Sequence, residues 1–436
     1  MLALSAANAA QVPIFQTVCP ASDAGSSLVV AADGNLYGTT RYGGSNDMGT
    51  VFRLAPTGTN QVIYSFSGGS DGANPMASLV VGPGGFLYGA AQYGGASNAG
   101  TIFIITTNGV FILLHSFNGN SDGAEPVAGM VLGNDANLYG TASRGGALGN
   151  GTVFQMASGN FAVLHNFDGT NGCEPAAALV QGTDGAFYGT TSRGGPADSG
   201  VVFSITATGV FSNIYNFTGA EGAYPQGALV QGADHLFYGT TPCGGGGFGS
   251  VYRITPGGAY TTLYSATNED VISTPLGGVA FGADGKLYGT AAFGGAEGFG
   301  SVFDLTTNGN PTALYSFGGS DDGANPAGGL ALAGGSVFYG VSSGSGMAGA
   351  GTDFRLITVA PVINSIQLTQ NGQLVTFNGT FGIPDTFYTI FTTTNPGVAG
   401  SWIPKGTNFC NADGAFGFTN LVNRATDPTR FYRVGF

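Results

Sequence analysis

Charge is scarce in this sequence. Only 8% of its 436 residues are Asp, Glu, Lys or Arg, and 11 basic residues face 24 acidic ones, for a net charge of −13. Few cations and a negative surface exclude nucleic acid and anionic lipid as expected partners. There are three histidines, four cysteines and one tryptophan. No His or Cys pair has the spacing of metal ligands, so neither a metal site nor a cofactor is expected. Cys19, Cys173, Cys243 and Cys410 fall in separate segments, Cys19 and Cys173 in loops that open copies of a repeat, and are expected as unpaired thiols. No apolar run reaches the ~18–20 residues of a membrane span. The 3.6-residue apolar period of a helix is missing throughout the repeats.

What is abundant is glycine, 80 residues of it, and repetition. A Tyr-Gly pair recurs at Tyr37, Tyr88, Tyr139, Tyr188, Tyr238, Tyr288 and Tyr339, in steps of 51, 51, 49, 50, 50 and 51. A fixed period of this length marks a repeat architecture. Each copy holds four short runs rich in Val, Ile, Phe, Tyr and Thr, as in "SSLVV", "LYGTT", "GTVFRL" and "QVIYSF". Gly, Asn, Asp and Pro separate them, so each run reads as a strand and each junction as a tight turn. Four antiparallel strands make one propeller blade, and packing blades in a ring covers faces that a lone sheet would expose.

The ends of the repeat region indicate how the ring closes. The seventh copy has "VFYGVSS" and "GTDFRL" but no fourth run, whereas "QVPIF" near the start has no preceding copy. Phe15 stands 13 residues before Leu28, as Phe66 stands 13 before Leu79. The expected fold is therefore all-β: a seven-bladed β-propeller over residues 11–358, with the N-terminal segment supplying the outer strand of the last blade as a Velcro closure. From about Ile363 the period stops. "SIQLTQNGQLVTFNGTF", "TFYTIFTTT", "GAFGFTN" and "RFYRVGF" read as a small β-sandwich over 361–436, of immunoglobulin or fibronectin-III type, with Trp402 as its core anchor. "MLALSAANAA" reads as the remnant of a signal peptide over residues 1–10, which makes the protein an exported one.

The unit "DGxLYGTTxxGGxxxxGTVFxL…LYSFxGGxDGxxP" resembles the choice-of-anchor tandem repeat, the GloVer-type repeat of exported bacterial proteins. The resemblance covers roughly residues 11–358 and rests on the whole unit recurring. It implies export and a propeller fold, and it implies no reaction. Kelch repeats share the period and the Gly-Gly doublet, but these copies contain no Trp.

No residues combine into a catalytic constellation. His115 and His165 occupy the outer-strand position that is Tyr64, Tyr215, Tyr264 and Tyr315 in other copies, and His235 sits in a turn. A recurring "DGxxP" loop places Asp71, Asp122, Asn171, Glu221, Val271 and Asp322 four residues before its proline. Side chains of this kind cap the amides of their own loop. Acids one blade apart share no ion, and glycosidase chemistry needs two carboxylates close together. One position varies within a fixed frame, the residue before each Gly-Gly doublet: Tyr42, Tyr93, Arg144, Arg193, Cys243, Phe293 and Gly344. These loops and the "DGxxP" loops are expected on one face of the disc. Exposed Tyr, Phe and Arg dominate binding hot spots, so Tyr42, Tyr93, Arg144, Arg193 and Phe293 form the candidate ligand surface. The function expected is non-catalytic binding or adhesion outside the cell or at its surface, toward a glycan or a protein. The alternatives are a self-assembling surface protein and a polysaccharide-active enzyme.

Overall fold

In the computed structural model, the described residues are 14–20, 27–55, 59–157, 159–267, 271–333, 337–344 and 351–358, with six strands beyond residue 361. The chain divides into two compact units, one holding Phe15–Leu332 and Phe338–Arg355, the other including Leu356–Phe436.

The first unit is a seven-bladed propeller, each blade a four-stranded antiparallel sheet. In blade 1 the strands are Val29–Val30, Leu36–Thr40, Thr50–Leu54 and Asn60–Ser65, from the innermost outwards. Blades 2 to 6 repeat this order, and a register shift between the third and fourth strands recurs from blade 1 to blade 6. Such a bulge increases local twist. Blade 7 takes Ala331–Leu332, Val337–Ser342 and Thr352–Ile357 from the end of the repeats, and its outer strand is Ile14–Pro20. The ring is closed across the ends of the repeat region, as the missing fourth run implies. The closing strand lies further along than the Phe15–Phe66 correspondence places it: subtracting 51 from Asn60–Ser65 gives 9–14, not 14–20. An outer strand is paired on one side only, so one shared aromatic does not fix its register. Cys19 accordingly lies in a strand and not in a loop.

The second strand of each blade is buried along nearly its whole length, as in "LYGTT" of blade 1. The third strand contributes the large aromatic that fills the gap between blades, Phe52, Phe103, Phe154, Phe203, Tyr252, Phe303 and Phe354, all buried. Phe66 stacks edge-on against Phe103 of the next blade at 5.3 Å, and Phe117, Phe167 and Phe217 repeat the contact. Aromatic pairs of this geometry favour one orientation between neighbouring blades beyond the area they bury. Small residues line the inner edge. A Cβ added at Gly278 would lie 2.4 Å from the carbonyl oxygen of Ala228, and one at Gly129 would lie 3.1 Å from that of Ser78.

Beyond residue 361 the strands form two three-stranded antiparallel sheets. One has the order Val362–Thr369, Leu374–Thr380, Ala415–Leu421, and the other Ile403–Phe409, Phe387–Thr393, Phe431–Gly435. Residues 1–10, Trp402 and Cys410 lie outside the described residues. No helix among the described residues is long and apolar enough to cross a membrane.

Candidate functional site

Two rows of hydrogen bonds to carboxylates brace the blades. In the first, the tyrosine of the Tyr-Gly pair donates to the aspartate of the turn before it: Tyr37 to Asp33 at 2.7 Å, with the same bond at Tyr139–Asp135, Tyr188–Asp184, Tyr238–Asp234 and Tyr288–Asp284. In the second, the outer-strand Tyr or His meets the "DGxxP" side chain. Tyr64 donates to Asp71 at 2.9 Å and Tyr315 to Asp322 at 2.8 Å. His115 Nε2 lies 3.0 Å from Asp122, and His165 Nε2 lies 3.2 Å from the Asn171 amide. Tyr215 donates to Glu221 at 3.0 Å.

The loops behind His165 and Tyr215 are one residue shorter than those behind Tyr64, His115 and Tyr315, six positions against seven, and carry Asn171 and Glu221 where these three longer loops carry aspartate. Each of these side chains also caps its loop. Asp71 accepts from the Ser67 amide and hydroxyl, Glu221 from the Thr218 amide and hydroxyl, and Asp322 from the Gly318 amide. Burial pushes the Asp71 carboxyl up, but the bonds from Ser67 and Tyr64 together outweigh it and hold it below the ordinary value. Glu221 and Asp322 move the same way for the same reasons. The row is thus structural, as amide capping implies. The sequence shows these tyrosines and histidines and these loop side chains as two separate columns, not as partners. Their signal was there: the acid recurs six or seven residues after an aromatic.

The three histidines are held apart by the same frame. His115 stacks on Phe161 of the next blade at 3.8 Å and His165 on Phe211 at 3.9 Å. His235 Nδ1 meets the Thr183 hydroxyl at 3.0 Å. Burial lowers the pKa of His115 and His165 and so favours the neutral ring, against the opposing pull of Asp122 and Asn171.

The candidate surface sits above this frame. Main-chain bridges join each "DGxxP" loop to the Gly-Gly loop of its own blade: Ala73 with Tyr93, Ala124 with Arg144, Cys173 with Arg193, Ala223 with Cys243, Ser273 with Phe293 and Ala324 with Gly344. The two loop sets therefore share one face. Tyr42, Arg144, Arg193 and Phe293 are exposed, Tyr42 to 43% and Phe293 to 48%. Tyr93 is half-buried, and its hydroxyl accepts a 3.0 Å bond from Gln92 Nε2.

A second set of side chains on this face was not singled out from sequence. The residue before each loop proline is Asn74, Glu125, Glu174, Tyr224, Thr274 or Asn325, and all six have φ between +51° and +59°. The residue before proline ordinarily takes extended backbone. Here hydrogen bonds to two blades hold it otherwise. The Glu125 amide donates to Ala99 O of the preceding blade at 2.9 Å, and Glu125 O accepts from the Ser143 amide at 3.1 Å. Asn74 and Asn325 use their side-chain amides to reach Arg41 O and Ala292 O. Glu125 and Glu174 instead face the arginines: Arg144 lies 3.7 Å from Glu125 and 3.6 Å from Glu174, and Arg193 lies 3.6 Å from Glu174. The Arg193 guanidinium also stands over the Tyr224 ring at 5.4 Å.

The family model described as the Gloeobacter/Verrucomicrobia repeat matches residues 23–249 and 243–424. No curated protein matches the chain. Among solved structures, a fungal alcohol oxidase of the AA5 family, in complex with copper, is similar over 93% of this chain and 92% of its own, at 12% identity and a TM-score of 0.53. A luciferin-regenerating enzyme matches over 80% and 96% at 12% identity, with a TM-score of 0.43. A Dyadobacter fermentans protein of unknown function matches over 79% and 98% at 11% identity, with a TM-score of 0.44. At 12% identity the likeness to the alcohol oxidase is one of fold.

Proposed function

Because the chain belongs to the Gloeobacter/Verrucomicrobia repeat family, we propose that it is an exported, non-catalytic binding scaffold whose loop face holds an extended ligand. The observation that carries this reading is the contrast between rows. The capping position keeps its chemistry from blade to blade, with Val271 as the departure, and its side chains are hydrogen-bonded inward. The position before the Gly-Gly doublet changes from Tyr to Arg to Phe in one backbone setting, and its side chains are exposed at Tyr42, Arg144, Arg193 and Phe293. Residues that vary on a rigid, repeated frame and include exposed Tyr, Phe and Arg suit recognition. The repeat step stays within 49–51 residues, which leaves no blade with an inserted loop for a separate catalytic site.

The test is to screen the full chain on a glycan array and against extracellular protein fractions, then to map the bound ligand by hydroxyl-radical footprinting. Protection is expected at Tyr42, Tyr93 and Phe293. Protection confined to the outer strands, or turnover of any bound glycan, contradicts the reading.

Self-assembly is the second reading. Val62, Val110, Ile112 and Leu113 expose apolar side chains along the outer edges of blades 1 and 2, and an exposed apolar edge strand is a pairing template. Particle growth with concentration, abolished by Ile112→Lys, would favour it.

A further inference from the structure

The six pre-proline positions pose a question of cost. A side chain held at left-handed φ is strained, and glycine is not. The chain carries 80 glycines, yet none stands at Asn74, Glu125, Glu174, Tyr224, Thr274 or Asn325. The side chains are therefore used. At Asn74 and Asn325 the use is visible, a bond to a neighbouring carbonyl. At Glu125, Glu174 and Tyr224 the side chains instead alternate with Arg144 and Arg193 to form one strip across blades 3 to 5. Resting on the reading of this face as a ligand surface, we propose that the strip binds a neutral polysaccharide and that its pre-proline residues determine specificity.

Three features select that chemistry. First, the signs alternate. A polyanion would meet Glu125 and Glu174, and a polycation would meet Arg144 and Arg193. A neutral vicinal diol donates to a carboxylate and accepts from a guanidinium within one such pair. Second, the Arg–Glu separations of 3.6–3.7 Å are too long for good hydrogen bonds. Arg193 Nη1 donates to Asp198 at 3.2 Å and Glu125 accepts from Gln92 at 3.1 Å, and the remaining guanidinium donors and carboxylate lone pairs face one another with capacity to spare. The arginine side chains are 58% and 50% exposed above glutamates that are 25% and 36% exposed, so a hydroxyl can reach both. Third, a buried amide backs the strip at one end and fixes the side chains of Glu125 and Tyr93. Gln92 is 7% exposed, gives its Nε2 to Glu125 and Tyr93, and leaves its buried Oε1 without a partner. At the other end Tyr224 lies partly exposed beneath the Arg193 guanidinium, 5.4 Å from it, and extends the strip with an aromatic group.

The experiment uses the full chain and isothermal calorimetry with hexasaccharides of β-linked glucose, mannose and xylose, with oligogalacturonate, and with hexalysine. At least one neutral hexasaccharide is expected to bind, and the two charged probes are not. Glu174→Gly removes the side chain and relieves the backbone. It is expected to weaken that binding at least tenfold while the melting temperature holds or rises, and Arg144→Gln is expected to weaken binding to a similar degree. Failure of every neutral probe overturns the proposal. So does binding that Glu174→Gly leaves intact, or a marked fall in melting temperature in that variant, which would make Glu174 a structural residue. If neutral glycans fail but another ligand protects Tyr42 and Phe293, only this inference falls. If no ligand protects that face, the broader reading falls with it.

Discussion

Tyr64 donates its hydroxyl to Asp71 across 2.9 Å, tying the outer strand of blade 1 to the loop that opens blade 2. The same carboxylate caps the Ser67 amide at 2.8 Å. Removing it leaves a hydroxyl and an amide without their acceptor. Asp71→Ala is expected to cost about 1–3 kcal/mol in urea unfolding, and Tyr64→Phe less, because the loop cap survives. Equal costs would mean that the cap contributes nothing.

The same pairing sets how stability depends on pH. Asp71, Glu221 and Asp322 have folded pKa values below their unfolded ones, so their contribution is complete above roughly pH 4–5 and is lost as pH falls through the folded values. Burial first, and then the carboxylate partner, pushes Tyr64 up to about 12, with Tyr37 and Tyr238 shifted likewise. Their contribution is complete below about pH 10 and is lost as pH rises toward 12. Melting temperature against pH should therefore fall at both ends. Tyrosine absorbance should titrate in two groups, the later one with unfolding. A single titration at the ordinary tyrosine pKa would contradict this.

Blades 2 and 3 carry histidine where others carry tyrosine. Burial lowers the pKa of His115 and His165, so each stabilises the fold above roughly pH 6.5 and loses that contribution as pH falls through its folded value. The double variant His115→Tyr, His165→Tyr should match the native chain at pH 7.5 and be the more stable of the two by pH 5. Parallel stability curves across that range would refute the assignment.

Gly109 and Gly185 both have left-handed φ, +88° and +84°, but differ in their surroundings. A Cβ at Gly109 would lie 2.3 Å from Ile63 O of the preceding blade, whereas at Gly185 nothing lies within 4 Å. Gly185→Ala should cost the conformational strain alone, about 1–2 kcal/mol. Gly109→Ala should cost clearly more, because blades 1 and 2 must separate. Thermal unfolding of the two variants side by side decides it.

Deleting Ile14–Pro20 removes the outer strand of blade 7 and exposes the Thr352–Ile357 strand as an open edge. Aggregation and a large drop in melting temperature are expected. A melt within a degree or two of the intact chain would mean that the closing strand is dispensable.

The fold was legible because its signals are local and repeated: a period, strand residues between turn residues, and one run missing at one end and present at the other. What escaped was pairing between positions. Tyr64 and Asp71 were each seen, but as separate columns. The recurring spacing of six or seven residues between the aromatic and the loop side chain was the trace of their contact. The closing strand escaped by several residues because an edge strand is held from one side. The left-handed backbone at Glu174 was illegible on principle, since a residue before proline is expected to be extended and only the bonds to two blades override it. Of the surface residues, Tyr42, Arg144, Arg193 and Phe293 stand exposed as variation within a fixed frame implies, and Tyr93 is partly drawn in by Gln92.

The central claim is that the loop face recognises a ligand rather than merely covering the blades. Its most direct test replaces the exposed Tyr42, Arg193 and Phe293 with alanine together and measures both the affinity for a ligand found by screening and the melting temperature. The account predicts at least a tenfold loss of affinity with a melting temperature within two or three degrees of the parent. Unchanged affinity with a large fall in melting temperature would contradict it, and would make these side chains packing for the loops beneath them.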